Sequence, residues 1–114
     1  MARSLAIGNP ADGDFAVAAA RDTGGAIHAV AEDEVVENMG LLAETTGVFG
    51  ETAPGVTLGA LRHAAEAGEL GERDRVVLLV TGDGLKTPEH VADRYRPIEI
   101  EPNADRVLER LAAA

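Results

Sequence analysis

A chain of 114 residues with a formal charge of −10, from 20 acidic and 10 basic side chains, suits a single domain over residues 1–114 and repels nucleic acid and anionic membranes. It has no cysteine, which excludes disulfides and thiolate metal sites, and no apolar run reaches membrane-spanning length. Much of the 46% hydrophobic content is alanine and only Phe15, Phe49 and Tyr95 are aromatic, so the core is expected to be modest.

The apolar stretch after Met1-Ala2-Arg3 is too short for a signal peptide, and a soluble, cytoplasmic protein is expected. Asn9 and Pro10 then predict a helix start, with asparagine as cap and proline in the first turn. Asp12 and Asp14 put negative charge at its positive end, and Phe15, Ala18, Ala19 and Asp22 follow at helical spacing. Gly24-Gly25 stops this helix near Thr23, and Ala26 to Val30 reads as a short strand.

Glu32-Asp33-Glu34 opens a second helix, whose apolar stripe is Val35, Val36, Met39, Leu42 and Ala43. Gly47 ends it. After the loop 48–53, Pro54-Gly55 begins a third helix carrying Val56, Ala60, Leu61, Ala64 and Ala65, closed by Gly68 and Gly71. Arg75 to Val80 is the expected central strand, because an unbroken β-branched and leucine run implies burial on both faces. Lys86-Thr87-Pro88 starts an irregular stretch, Ile98 to Glu101 alternates like an edge strand, and Asn103 caps a last helix with Val107, Leu108 and Leu111 inward. Strands alternating with helices predict an α/β fold, a layered α/β/α domain with a small, partly parallel sheet.

The central strand ends at Thr81-Gly82-Asp83-Gly84-Leu85-Lys86, and Lys86 is the only lysine. Open α/β proteins put their ligands at the carboxyl ends of such strands. Two glycines let backbone approach a flat or phosphorylated molecule closely. By itself the turn reads foremost as an ordinary strand ending, and the Gly82 to Lys86 spacing is too short for a Walker loop.

Three segments occur in order: Ser4 to Pro10, Gly47 to Thr57 and Thr81 to Lys86. Together they resemble the C-terminal part of threonine synthases, pyridoxal-phosphate enzymes of the fold-type-II family that includes tryptophan synthase β. The similarity runs from about Arg3 to Lys86, and the final strand and helix suit the tail of such enzymes. It implies conversion of O-phosphohomoserine and water to threonine and phosphate, with pyridoxal phosphate as electron sink. Thr81 matches the hydroxyl that hydrogen-bonds the pyridine nitrogen, Gly82 and Gly84 let the turn pass close to the ring, and Glu51 matches an acid of a loop near the cofactor pocket. Pro54 stands where glycine or serine is usual, and Ala31 where a capping serine is frequent, which predicts a stiffer loop and a weaker helix start.

The resemblance also implies that the Schiff-base lysine and the Gly/Asn-rich phosphate loop lie in an N-terminal half outside this sequence. Lys86 matches a non-catalytic position, so no catalytic residue is assigned and the chain is expected to be inactive alone. Its partner is then the lysine-bearing half, as a split enzyme, or a full-length relative. The alternative is a stand-alone ligand-binding or regulatory module, with its apolar surface covered by a partner or by self-association into a homo-oligomer.

The remaining polar residues read blandly. Glu51 is as readily a solvated loop acid as a pocket residue, and Asn9 is foremost a helix cap. Glu32-Asp33-Glu34 complement the helix dipole rather than hold a metal. His28, His63 and His90 are isolated in sequence, and Ser4 is the only serine, so no serine–histidine–acid set can be built.

Overall fold

The structure is a computed structural model that describes residues 2–94 and 99–113. The described residues form four α-helices: α1 (Gly13–Thr23), α2 (Glu32–Thr46), α3 (Thr52–Glu66) and α4 (Ala104–Ala112). Short 3-10 turns cover Arg3–Leu5, Gly84–Lys86 and Pro88–Val91.

The core lies between α2 and α3, the one extensively packed pair of elements among the described residues. Val35, Met39 and Val91 form its centre, with Val30, Val36, Phe49 and Val56 packed around them. The expected stripe of α2 is therefore the face that buries. Close approach of the two helices depends on small residues. A Cβ on Gly55 would stand 2.7 Å from the Val35 carbonyl oxygen, and one on Gly59 would stand 2.8 Å from Asn38 Nδ2 of α2 and 2.7 Å from Val30 Cγ1 just before that helix. Glycine at these two positions costs helix propensity but lets the helices pack tightly.

The helix boundaries show what each end needs. α2 starts at Glu32 as expected, and Ala31 offers no side-chain cap. Glu34 supplies half of a capping box, its carboxylate accepting from the Ala31 N–H at 2.9 Å. This offsets part of the weakness expected from alanine at that position. Gly47 ends α2 with φ 74°, the left-handed conformation that glycine adopts most cheaply. α3 starts at Thr52, two residues before the expected Pro54-Gly55, because proline is tolerated anywhere in a first turn. α1 starts at Gly13 rather than at Pro10: the Pro10 carbonyl accepts from the Gly13 N–H in a separate turn, and Asn9 caps nothing. Its C-terminus is at Gly24 as expected.

The small, partly parallel sheet expected from the sequence is absent among the described residues, which form no strand and one isolated antiparallel bridge, Gly50 with Asp83. Residues 26–30 and 75–80 have no regular structure. In the edge-strand segment, Ile98 lies outside the described residues and Glu99 to Glu101 are not a strand. The physical reason is pairing. A strand is defined by a neighbour that takes up its N–H and C=O groups, and the apolar run 76–80 has none beside it. The burial expected on both faces is correspondingly not found: Val77 is 84% exposed and Leu79 68%.

α4 shows the same thing in helical form. The Asn103 side-chain oxygen Oδ1 accepts from the Asp105 N–H at 2.9 Å and the Arg106 N–H at 3.4 Å, the cap that the sequence predicts. Leu108 and Leu111, expected to face inward, are exposed. The radius of gyration is 18.3 Å, with extents of 59 × 35 × 22 Å. A compact domain of this length would have about 13 Å. One packed helix pair thus carries long, uncovered extensions.

Candidate functional site

Two short segments, distant in sequence, meet at the N-terminus of α3. The Glu51 N–H donates to the Gly82 carbonyl at 3.0 Å, and the Gly84 N–H donates to the Phe49 carbonyl at 2.9 Å. These two bonds clamp Phe49-Gly50-Glu51 against Gly82-Asp83-Gly84. The glycines are obligatory for this contact. A Cβ on Gly84 would lie 2.5 Å from three ring atoms of Phe49, and one on Gly82 would collide with the Glu51 carboxylate. Sequence reasoning gave both glycines to the approach of a ligand ring; here the opposing loop already fills the space on that side. Gly50 is constrained too, since a Cβ there would stand 2.7 Å from Pro54 Cβ. Pro54 is thus seated against a neighbouring glycine.

Beyond the clamp, Asp83 Oδ1 accepts from the Leu85 N–H at 2.8 Å and starts the turn Gly84–Lys86. That turn returns Lys86 over the loop, with Nζ 3.7 Å from Glu51 Oε1. The two partners differ in environment: the lysine side chain is 61% exposed and the glutamate 13%. Glu51 is therefore mostly enclosed, between Gly82 and Lys86.

Thr81 sits immediately before the clamped Gly82. It is exposed, and its hydroxyl makes no hydrogen bond among the described residues. The structure thus brings Glu51 and Gly82 into direct contact and leaves Thr81 open on the adjoining surface. In the sequence Phe49 reads only as part of a loop. Its role shows in the ring against Gly84, and the one signal in the sequence is an aromatic residue in an otherwise small and polar loop.

The histidines expected to be isolated are paired. His28 Nε2 lies 2.9 Å from Glu69 Oε2, and His63 Nε2 lies 2.9 Å from Glu34 Oε1. Their rings meet edge-on, with centroids 6.4 Å apart. The hydrogen bond to Glu34 raises the His63 pKa above its ordinary value, and the same bond lowers that of Glu34. These pairs tie residue 28, α2 and the α3 end together, away from the clamp. Among the described residues no group of three or more histidine, aspartate or glutamate side chains could hold a metal ion. No helix is long and apolar enough to cross a membrane, among the described residues.

The family model described as "Pyridoxal-phosphate dependent enzyme" matches residues 1–82, which include helices α2 and α3, the Phe49–Glu51 loop and Thr81-Gly82. A threonine synthase of Bacillus sp. (strain ULM1) is 37% identical over 89 residues, covering 78% of this chain and 25% of the relative. One of Methanocaldococcus jannaschii is 35% identical over 112 residues, covering 97% and 27%. One of Mycobacterium tuberculosis (strain ATCC 25618 / H37Rv) is 32% identical over 117 residues, covering 100% and 32%. The chain spans about a quarter to a third of the length of these curated relatives.

Proposed function

Since the chain belongs to the pyridoxal-phosphate dependent enzymes, we propose that it forms one wall of the cofactor pocket of a threonine synthase-like enzyme, acting on O-phosphohomoserine and water to give threonine and phosphate. Pyridoxal phosphate is the cofactor of the complete enzyme of this kind.

One observation carries the reading: Thr81 is presented with a free hydroxyl by a turn whose backbone is clamped in place. The residues present fit the cofactor in this respect. An unpartnered, exposed hydroxyl is available to a pyridine nitrogen, and Gly82 puts no side chain beside it. The cofactor, when bound, supplies the electron sink. Thr81 would hold the ring nitrogen through a neutral hydroxyl, which favours an uncharged ring over a full pyridinium. Glu51, enclosed against Gly82 and reaching Lys86, positions the turn and keeps its carboxylate off the ring. Gly82 completes the set by letting that carboxylate lie against the backbone.

Lys86, the only lysine, is held toward Glu51 and serves no covalent role in this reading. The attachment lysine comes from a lysine-bearing partner portion, and the chain is inactive without it. That portion also supplies strands beside Arg75 to Val80, completing a layered α/β/α domain with a partly parallel sheet. Cytoplasmic location accompanies this role in amino-acid biosynthesis.

The test is to supply pyridoxal phosphate and O-phosphohomoserine to this chain, with and without the lysine-bearing portion of a relative. The expected result is no covalently held cofactor and no phosphate release from the chain alone, with release on mixing. A stable cofactor absorption band mapped to Lys86 would overturn the assignment, and no release at saturating concentrations would remove the split arrangement.

A second reading is favoured by the exposure of Val76, Val77, Leu79 and Val80 together with Leu108 and Leu111. Here the chain is a stand-alone binding or regulatory module that covers these residues with a full-length relative or a second copy. Sedimentation separates the two. A clean monomer that stays monomeric beside the relative counts against the module.

A further inference from the structure

The first turn of α3 is buried with its donors unused. Thr52 and Ala53 open this 15-residue helix, so their N–H groups have no acceptor within it, and Glu51 forms no side-chain cap. Neither N–H donates to any other described residue. Pro54, the third helical residue, brings no N–H. Thr52 is 1% exposed, and its hydroxyl too has no partner among the described residues. Across from it, Thr87 Oγ1 is buried without a hydrogen bond.

Thr52 and Thr87 line one cleft of about 400 Å³, together with Arg3, Ser4, Glu51, Glu89 and His90. Buried donors with nothing to accept from them are rare and costly, and a helix N-terminus adds partial positive charge. Arg3 brings a full one. Of the two acids, Glu51 is drawn toward Lys86 at 3.7 Å, and Glu89 has His90 Nε2 at 3.7 Å from its oxygen. The unmet groups are thus two backbone N–H donors and two hydroxyls, each of which can also donate.

We propose that this cleft binds a small oxyanion, a phosphate or carboxylate group, through the first turn of α3 and the hydroxyls of Thr52 and Thr87, with Arg3 supplying charge. The site stands on atoms of this chain and is independent of the cofactor reading, so either can fail alone. The two acids in the cleft and the net charge of the chain keep the binding weak.

Titration of the isotope-labelled chain with inorganic phosphate tests it by amide NMR, with acetate in a parallel arm and chloride at matched ionic strength as control. Saturable shifts at Thr52, Ala53 and Thr87 are expected with an oxyanion and not with chloride. The stronger arm identifies phosphate or carboxylate as the natural group. Thr87→Val, which keeps shape and loses the hydroxyl, should weaken binding several-fold, as should Arg3→Gln on the surface. Glu89→Gln should tighten it. Unchanged α2 signals, Met39 above all, show that each variant is folded. Absence of saturation with both oxyanions, or equal affinity in Thr87→Val and Arg3→Gln, would overturn the site.

Discussion

The segment Arg75 to Val80 is more apolar than α2 or α3, yet the helix pair is a core and the segment lies open. Val35, Met39 and Leu42 are buried because each α2 residue finds α3, about one loop away, at helical spacing. Val77 and Leu79 are exposed because their pattern asks for strands on either side, and no described segment offers one. A helix satisfies its backbone internally, whereas a strand cannot. Hydrophobic composition therefore states what a segment requires, and the rest of the polypeptide decides whether it gets it.

The sharpest test of that contrast truncates one large side chain in each region. Met39→Ala should destabilise the chain by about 2–5 kcal/mol, since Met39 is fully buried, while exposed Leu79→Ala should change stability by less than about 0.5 kcal/mol. Urea unfolding followed by circular dichroism reads both. Equal costs would mean that the run at 75–80 is packed in solution. If a lysine-bearing portion supplies the missing strands, Leu79→Ala should become costly in its presence.

Gly55→Ala probes how tightly the packed region is built. The new Cβ must meet the Val35 carbonyl oxygen at 2.7 Å, so overpacking should cost about 1–3 kcal/mol in the same measurement. Asn103→Ala should remove the cap of α4 and cost that helix about 1 kcal/mol. Because α4 is uncovered, the loss should appear as local fraying by hydrogen exchange and leave the global transition unmoved.

The smallest expected effect depends on pH. His63 has a raised pKa, so its contribution is fully present below its unfolded value and is lost as pH rises through the folded one. Glu34 has a lowered pKa, so its contribution is present above its unfolded value and is lost as pH falls through the folded one. The pair should hold best between about pH 4.5 and 6.5. His63→Ala should flatten the unfolding midpoint against pH across the neutral side of that window. A profile unchanged by the substitution would show that the contact does not persist.

Much of the helical architecture was legible in the sequence. The stripe of α2, the glycine stops at Gly24 and Gly47 and the Asn103 cap rest on local rules, and they are found where those rules put them. The start of α3 was missed by two residues because proline fits any position of a first turn, and that of α1 because Pro10 closes a turn of its own. The strands were not recoverable, since their fate depends on distant neighbours. In the candidate site, Thr81, Gly82 and Glu51 were all singled out, but the clamp was not, because no periodicity links residue 50 to residue 83. The pairs His28–Glu69 and His63–Glu34 escaped for the same reason, being 41 and 29 residues apart.

The uncovered run from Val76 to Val80 has a further consequence for the chain in concentrated solution. Five β-branched or leucine residues without charge or proline form a template on which other copies can stack as cross-β. The cluster Arg73-Asp74-Arg75 stands directly before it and acts as a gatekeeper, because stacking the run would bring those charges into register. Neutralising them should hasten fibril formation, which makes these few polar residues a safeguard against aggregation whenever the apolar run is left uncovered.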